Sequence, residues 1–157
     1  MKVEYINPFI SSITKVFSTM LNSELTRGKI YLKDHHCPEH EISGIIGLSG
    51  KAAGTVVLSL NRQAALSAAE AMLGERPLEI NAEVRDAVGE LANMVAGGAK
   101  AQLEQFNMSL TIPTVITGKF SVQFPSKIPP ICVPFESEWG SLTLEVGLVE
   151  SEAPCHC

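Results

Sequence analysis

The segment NAEVRDAVGELANMVAGGAKAQLEQF (residues 81–106) decides the fold. Asn81 is placed to cap a helix, because its side-chain oxygen can accept from a backbone N–H two or three residues on. At about 100° per residue, Val84, Val88, Leu91, Val95, Ala99 and Leu103 fall on one side, which predicts a buried stripe. Asp86, Glu90, Asn93, Gly97, Lys100 and Glu104 fall on the other. Glu90 and Asn93 stand in an i,i+3 relation and therefore project from one surface. Gly97 and Gly98 follow, although each glycine costs a helix interior about 1 kcal/mol relative to alanine. Two explanations suit the glycines: room for an approaching partner, or close packing on a neighbouring helix. A Glu-x-x-Asn pair by itself is also what a solvated helix face looks like.

Outward from this helix, the chain reads as grouped helices and strands. Residues 6–21 (INPFISSITKVFSTML) carry Phe9, Ile10, Ile13, Val16, Phe17, Met20 and Leu21 at helical spacing, with Asn7 as cap and Pro8 at the first helical position. Residues 28–34, 41–50 and 53–60 read as strands, the last two joined by a glycine-rich hairpin link. Residues 61–74 read as a short helix between Asn61 as cap and Gly74 as stop. Residues 108–118, 131–140 and 141–150 read as strands, with a tight turn around Trp139 and Gly140 between the last two. Grouped rather than alternating elements predict an α+β fold, a mostly antiparallel sheet packed against helices. Residues 1–150 are expected to form one domain and 151–157 a flexible tail.

Composition narrows the function. The chain has 157 residues, 45% hydrophobic and 18% charged, as expected of a compact protein with a real core. A net charge of −5 and the lack of any lysine- or arginine-rich block argue against nucleic acid as partner. No apolar run reaches the roughly 20 residues that span a bilayer, and the first residues do not read as a signal peptide. The expected compartment is the cytoplasm, where Cys37, Cys132, Cys155 and Cys157 would be free thiols. His35, His36, Cys37 and His40, with the terminal Cys155-His156-Cys157, invite a zinc reading, but their spacing supports it poorly. The expectation is no metal site. The link at residues 49–54 contains Lys51 among glycines yet lacks the phosphate-loop pattern, so it reads as a plain turn.

Asp86-x-x-x-Glu90-x-x-Asn93, continuing as NMVAGGAK, resembles the signature of the CheC/CheX/FliY phosphatases of bacterial chemotaxis. A single copy of the motif and the chain length resemble CheX rather than CheC, which carries two copies. The order of elements agrees from the opening helix to about Glu150. Gly98 departs from the pattern, since CheX-like chains often carry a polar residue there.

The resemblance implies a single CheX/CheC-like domain with hydrolase activity. Its substrate would be a phosphorylated, CheY-like response regulator of chemotaxis or another two-component pathway. By residue, it implies that Asn93 orients the attacking water and that Glu90 engages the regulator's lysine. Asp86, Gly97 and Lys100 would contact the partner. The chain would need no cofactor of its own, the Mg2+ belonging to the regulator. The resemblance also implies a homodimer, for which residues 55–60 and 141–148 are candidate pairing strands. One alternative is a non-catalytic regulator-binding or flagellar-switch-like module of the same superfamily. Others are a metal-binding module and a regulator inhibitor that does not hydrolyse.

The residue types suit the implied chemistry. An acyl phosphate is already reactive, so its hydrolysis turns on in-line positioning and charge stabilisation. A carboxamide both donates to and accepts from water and stays neutral beside a phosphoryl group. A carboxylate would be repelled there and is better directed at a cation.

Overall fold

The apolar stripe of residues 81–106 produces a helix of 21 residues, α3 (Ala82–Gln102), in a computed structural model that describes residues 3–33, 40–118, 124 and 129–151. Asn81 caps it, its Oδ1 accepting from the Val84 N–H at 3.1 Å. Val84, Val88, Leu91, Val95 and Ala99 are fully buried, and Leu103 nearly so. The helix stops at Leu103, and Glu104–Phe106 forms a turn of 3-10 helix before the chain reverses through Asn107 in the left-handed region.

Two further helices flank α3: α1 (Val3–Met20) and α2 (Arg62–Leu73). The ends of α2 fall as expected, with Asn61 accepting from Ala64 N–H at 2.9 Å and Gly74 at φ 82°. The start of α1 does not. The expectation of Asn7 as cap and Pro8 as the opening residue is overturned, because α1 begins at Val3 and holds Pro8 inside. An interior proline costs about 3 kcal/mol through its missing N–H. Tertiary packing outweighs that cost. Tyr5 and Ile6 are buried in the core, and burying such side chains is worth about 1.5–3 kcal/mol each. Tyr5 meets Phe106 edge-on with ring centroids 5.0 Å apart, and its hydroxyl donates to Glu150.

The described residues hold eight strands in one antiparallel sheet. In chain order they are β1 (Thr26–Arg27), β2 (Tyr31–Leu32), β3 (Ile42–Ser49), β4 (Ala52–Leu60), β5 (Ser109–Leu110), β6 (Thr114–Thr117), β7 (Ile131–Ser137) and β8 (Gly140–Glu150). Neighbours run β1-β7-β8-β4-β3-β5, with β2 also on β7 and β6 also on β3. The α+β class with an antiparallel sheet is thus observed. The strand expected over 28–34 is instead the pair of two-residue strands β1 and β2, with Gly28 N–H bonded to Pro134 O between them. The strand expected over 108–118 is interrupted between β5 and β6. The tight turn falls at Glu138 and Trp139, one residue earlier than expected, because Gly140 already pairs with Ser137.

This order corrects the expected dimer strands. Residues 55–60 lie in β4 and residues 141–148 in β8, and these two pair with each other inside one chain. β4 is bonded to β3 on its other side, and β8 to β7. Residues 55–60 and 141–146 are thus paired on both sides, which leaves them no edge for a second copy.

One face of the sheet carries the core. Ile42, Leu60, Leu142 and Phe135 form one cross-strand row, and Ile46, Val56, Val146 and Ile131 form another. All are buried; α3 packs on the β3 and β4 part of these rows, and α2 packs on β8. Contact with β3 is close because Gly44 leaves space. A Cβ there would come within 2.8 Å of the Ala92 Cβ. The opposite face is buried yet polar. Ser43 and Ser59 hydroxyls lie 2.6 Å apart, His40 Nε2 lies 3.1 Å from Thr143 Oγ1, and Lys33 is ion-paired with Glu145. A buried charge stays in place only when paired in this way.

Candidate functional site

The stripe opposite the buried one faces outward. Asp86, Glu90 and Lys100 are exposed; Asn93 and Gly97 are half-buried. Five of the residues singled out in the sequence therefore share one surface of α3, and Glu104 extends it into the 3-10 turn. Glu90 to Gly97 spans roughly 10 Å at 1.5 Å per residue. Among the described residues, no hydrogen bond or ion pair engages the Glu90 carboxylate or the Asn93 carboxamide. Glu90 is exposed and Asn93 half-buried on a helix whose other side is locked into the core. Chemically this is an amide and an acid on a fixed helix, with no partner for either among the described residues.

The two glycines separate. A Cβ on Gly97 would meet nothing within 4 Å. A Cβ on Gly98 would lie 2.2 Å from Ser12 Oγ on α1, which itself donates to Val95 O at 2.7 Å. Gly98 thus serves the α1–α3 crossing and is not part of the surface beyond the pair. Gly97 has no internal packing reason to lack a side chain. Gly97 and Lys100 also border a cleft of about 410 Å³ with Met108 and Leu110 on its far wall.

On the Asn93 flank of α3 lies the segment joining β5 to β6. Sequence reading treated it as strand interior and missed what it presents. Leu110 pairs with Leu48, and Thr114 pairs with Ile45, so residues 111–113 face only Ile46 and Gly47. The extra residue is a bulge. Ile112 within it is 87% exposed. The available signal was Pro113, which cannot donate to a ladder and marks a bulge or an edge.

The metal-like cluster is answered only in part. His40 bonds Thr143 as described, and Cys132 is buried and forms no disulfide among the described residues. His35, His36, Cys37, Cys155, His156 and Cys157 lie outside the described residues. Among the described residues, no three His, Cys, Asp or Glu side chains gather as metal ligands. Among the described residues, no helix is long and apolar enough to cross a membrane. Lys51 sits in the turn that joins the paired strands β3 and β4, with its N–H bonded to Phe106 O.

Comparison with known proteins gives concordant matches. The profile of the family described as chemotaxis phosphatase CheX matches residues 42–136. The CheY-P phosphatase CheX of Thermotoga maritima is 29% identical over 122 residues, covering 76% of this chain and 79% of that one. The crystal structure of a CheC-like superfamily protein from Shewanella sp. PV-4 superposes with a TM-score of 0.86 at 37% identity, covering 95% of this chain and 99% of that one. CheX in the CheX–CheY–BeF3–Mg2+ complex from Borrelia burgdorferi superposes with a TM-score of 0.78 at 25% identity, covering 95% and 100%. An exposed Glu-x-x-Asn helix on this fold, with the profile match running through it, places the chain in the chemotaxis phosphatase CheX family.

Proposed function

We propose that this chain dephosphorylates a phosphorylated, CheY-like response regulator, with α3 as the element that enters the regulator's active site. One observation carries the reading: exposed Glu90 and half-buried Asn93 share the outer surface of α3, have no hydrogen-bond or ion-pair partner among the described residues, and are held on a helix fixed by its opposite side. The relative named as a CheY-P phosphatase, and the relative crystallised with CheY, BeF3 and Mg2+, support it.

The Asn93 carboxamide accepts from the attacking water and fixes its line of approach to phosphorus. The water adds to phosphorus as the bond to the aspartyl oxygen breaks; the aspartate leaves as a carboxylate and inorganic phosphate is released. Glu90 pairs with the regulator's active-site lysine and sets the depth and angle of entry. Holding the reactants in line is the main source of acceleration for such a reactive acyl phosphate. Asp86 and Lys100 lie one to two turns to either side as contacts for the regulator's rim, and bare Gly97 lets its backbone approach α3. Mg2+ belongs to the regulator, where it screens the phosphoryl oxygens. The cytoplasm is the compartment this substrate implies. If two copies pair, they do so through the β1–β2 or β5–β6 edge or a face of the sheet, because β4 and β8 are internal.

The test is release of inorganic phosphate from a CheY regulator charged with acetyl phosphate, with and without this chain. Faster release that depends on Asn93 is expected. Binding without faster release would favour the non-catalytic docking reading.

A further inference from the structure

We propose that Ile112 is a docking knob for the regulator, gripping an apolar contact beside the regulator's phosphorylation site while Asn93 enters it. The inference rests on the reading above and adds a residue that the signature does not contain.

Placement comes from the two ends of the bulge. Leu110 shares the cleft with Gly97 and Lys100. Pro113 lies 3.5 Å from where a Cβ on Gly89 would stand, and Val115 3.2 Å from it. The segment therefore runs antiparallel to α3 from the turn of Gly97 to the turn of Gly89, and Ile112 falls beside the intervening turn, which carries Asn93. A regulator seated over Asn93 meets Ile112.

Its rigidity indicates function rather than a loose loop. Thr111 N–H donates to Gly47 O at 3.0 Å, and Gly47 N–H donates to Thr111 Oγ1 at 2.8 Å. Thr114 is paired with Ile45, and Pro113 fixes its own φ. An apolar, β-branched side chain is thus held out in water by ordered neighbours on both sides. Nothing inside the chain rewards that exposure, whereas burial against a partner does. A preorganised contact also binds with little loss of side-chain freedom. Bulges that re-aim a side chain are over-represented next to active sites.

An interface of ordinary size buries about 800 Å² on each partner. Glu90 and Asn93 supply a small part of that, so binding strength must come from their flanks. A contact away from the reacting atoms acts on KM and leaves kcat in place.

The experiment measures phosphate release against concentration of acetyl-phosphate-charged CheY for Ile112→Asp, Ile112→Thr and Ile112→Val, with Asn93→Ala alongside. Ile112→Asp is expected to raise KM about ten-fold with kcat within about two-fold. Ile112→Thr, which keeps the β-branch but shortens the side chain and adds a hydroxyl, should raise KM less than Ile112→Asp, and Ile112→Val should behave as the parent. Melting temperatures should be unchanged throughout, since the side chain is exposed. An unchanged KM for Ile112→Asp beside an inactive Asn93→Ala would overturn the knob while sparing the phosphatase. Full activity in Asn93→Ala would overturn the entry of Asn93 and the knob placed beside it, and no faster release by the parent chain would overturn the phosphatase itself.

Discussion

Gly97 and Gly98 are neighbours in sequence and opposites in surroundings. The space beyond Gly98 is filled by Ser12 of α1. The space beyond Gly97 is open, on the same surface as Glu90 and Asn93. A helix that accepts two glycines loses about 1 kcal/mol at each. Internal packing compensates at Gly98. At Gly97 no contact within the chain does, which leaves an approaching molecule as the compensating factor. The same division runs along all of α3, one side committed to stability and the other to the proposed partner.

The sharpest way to break this division is on the committed side. Leu91 is fully buried and sits next to exposed Glu90. Leu91→Ala should lower unfolding free energy by about 3 kcal/mol in urea titrations, with phosphatase turnover at low temperature little changed. Loss of turnover without loss of stability would mean that the inward face also serves the reaction. Next in size is Gly98→Val, which drives a branched side chain into Ser12. Chemical denaturation should register a loss of about 2 kcal/mol. A neutral result would show that α1 yields easily and that the crossing does not require the glycine. The smallest change has the opposite sign. Gly97→Ala should stabilise the fold by about 1 kcal/mol through helix propensity, yet raise KM for the phosphorylated regulator. Greater stability together with unchanged KM would remove the partner's need for bare backbone there.

The parts legible in sequence were those governed by local rules. The period of α3 sorted Val84 through Leu103 from Asp86 through Lys100, and the structure buries the first set. Asn61, Asn81 and Gly74 marked helix ends because caps are local hydrogen bonds. Non-local effects were not legible. Pro8 looked like a helix start, but Tyr5 meets the distant Phe106 and Ile6 is buried in the core, so the helix already runs at Val3. The order β7-β8-β4-β3 brings residues from both halves of the chain together, and no run of sequence announces that β4 and β8 are internal. The pairing of Lys33 with Glu145 joins residues 112 positions apart and left no local trace. At the candidate site, the residues came from the resemblance and their shared surface from helical spacing. Ile112 escaped because its exposure depends on a bulge set by register against β3.

The most direct measurement is single-turnover phosphate release from acetyl-phosphate-charged CheY by the parent chain and by Asn93→Ala at saturating concentration. Beryllofluoride-loaded CheY provides the matching binding measurement. Release should fall about 100-fold or more while binding and melting temperature hold, as expected when only the line of water attack is lost. Parent-like release by the folded variant would contradict the account.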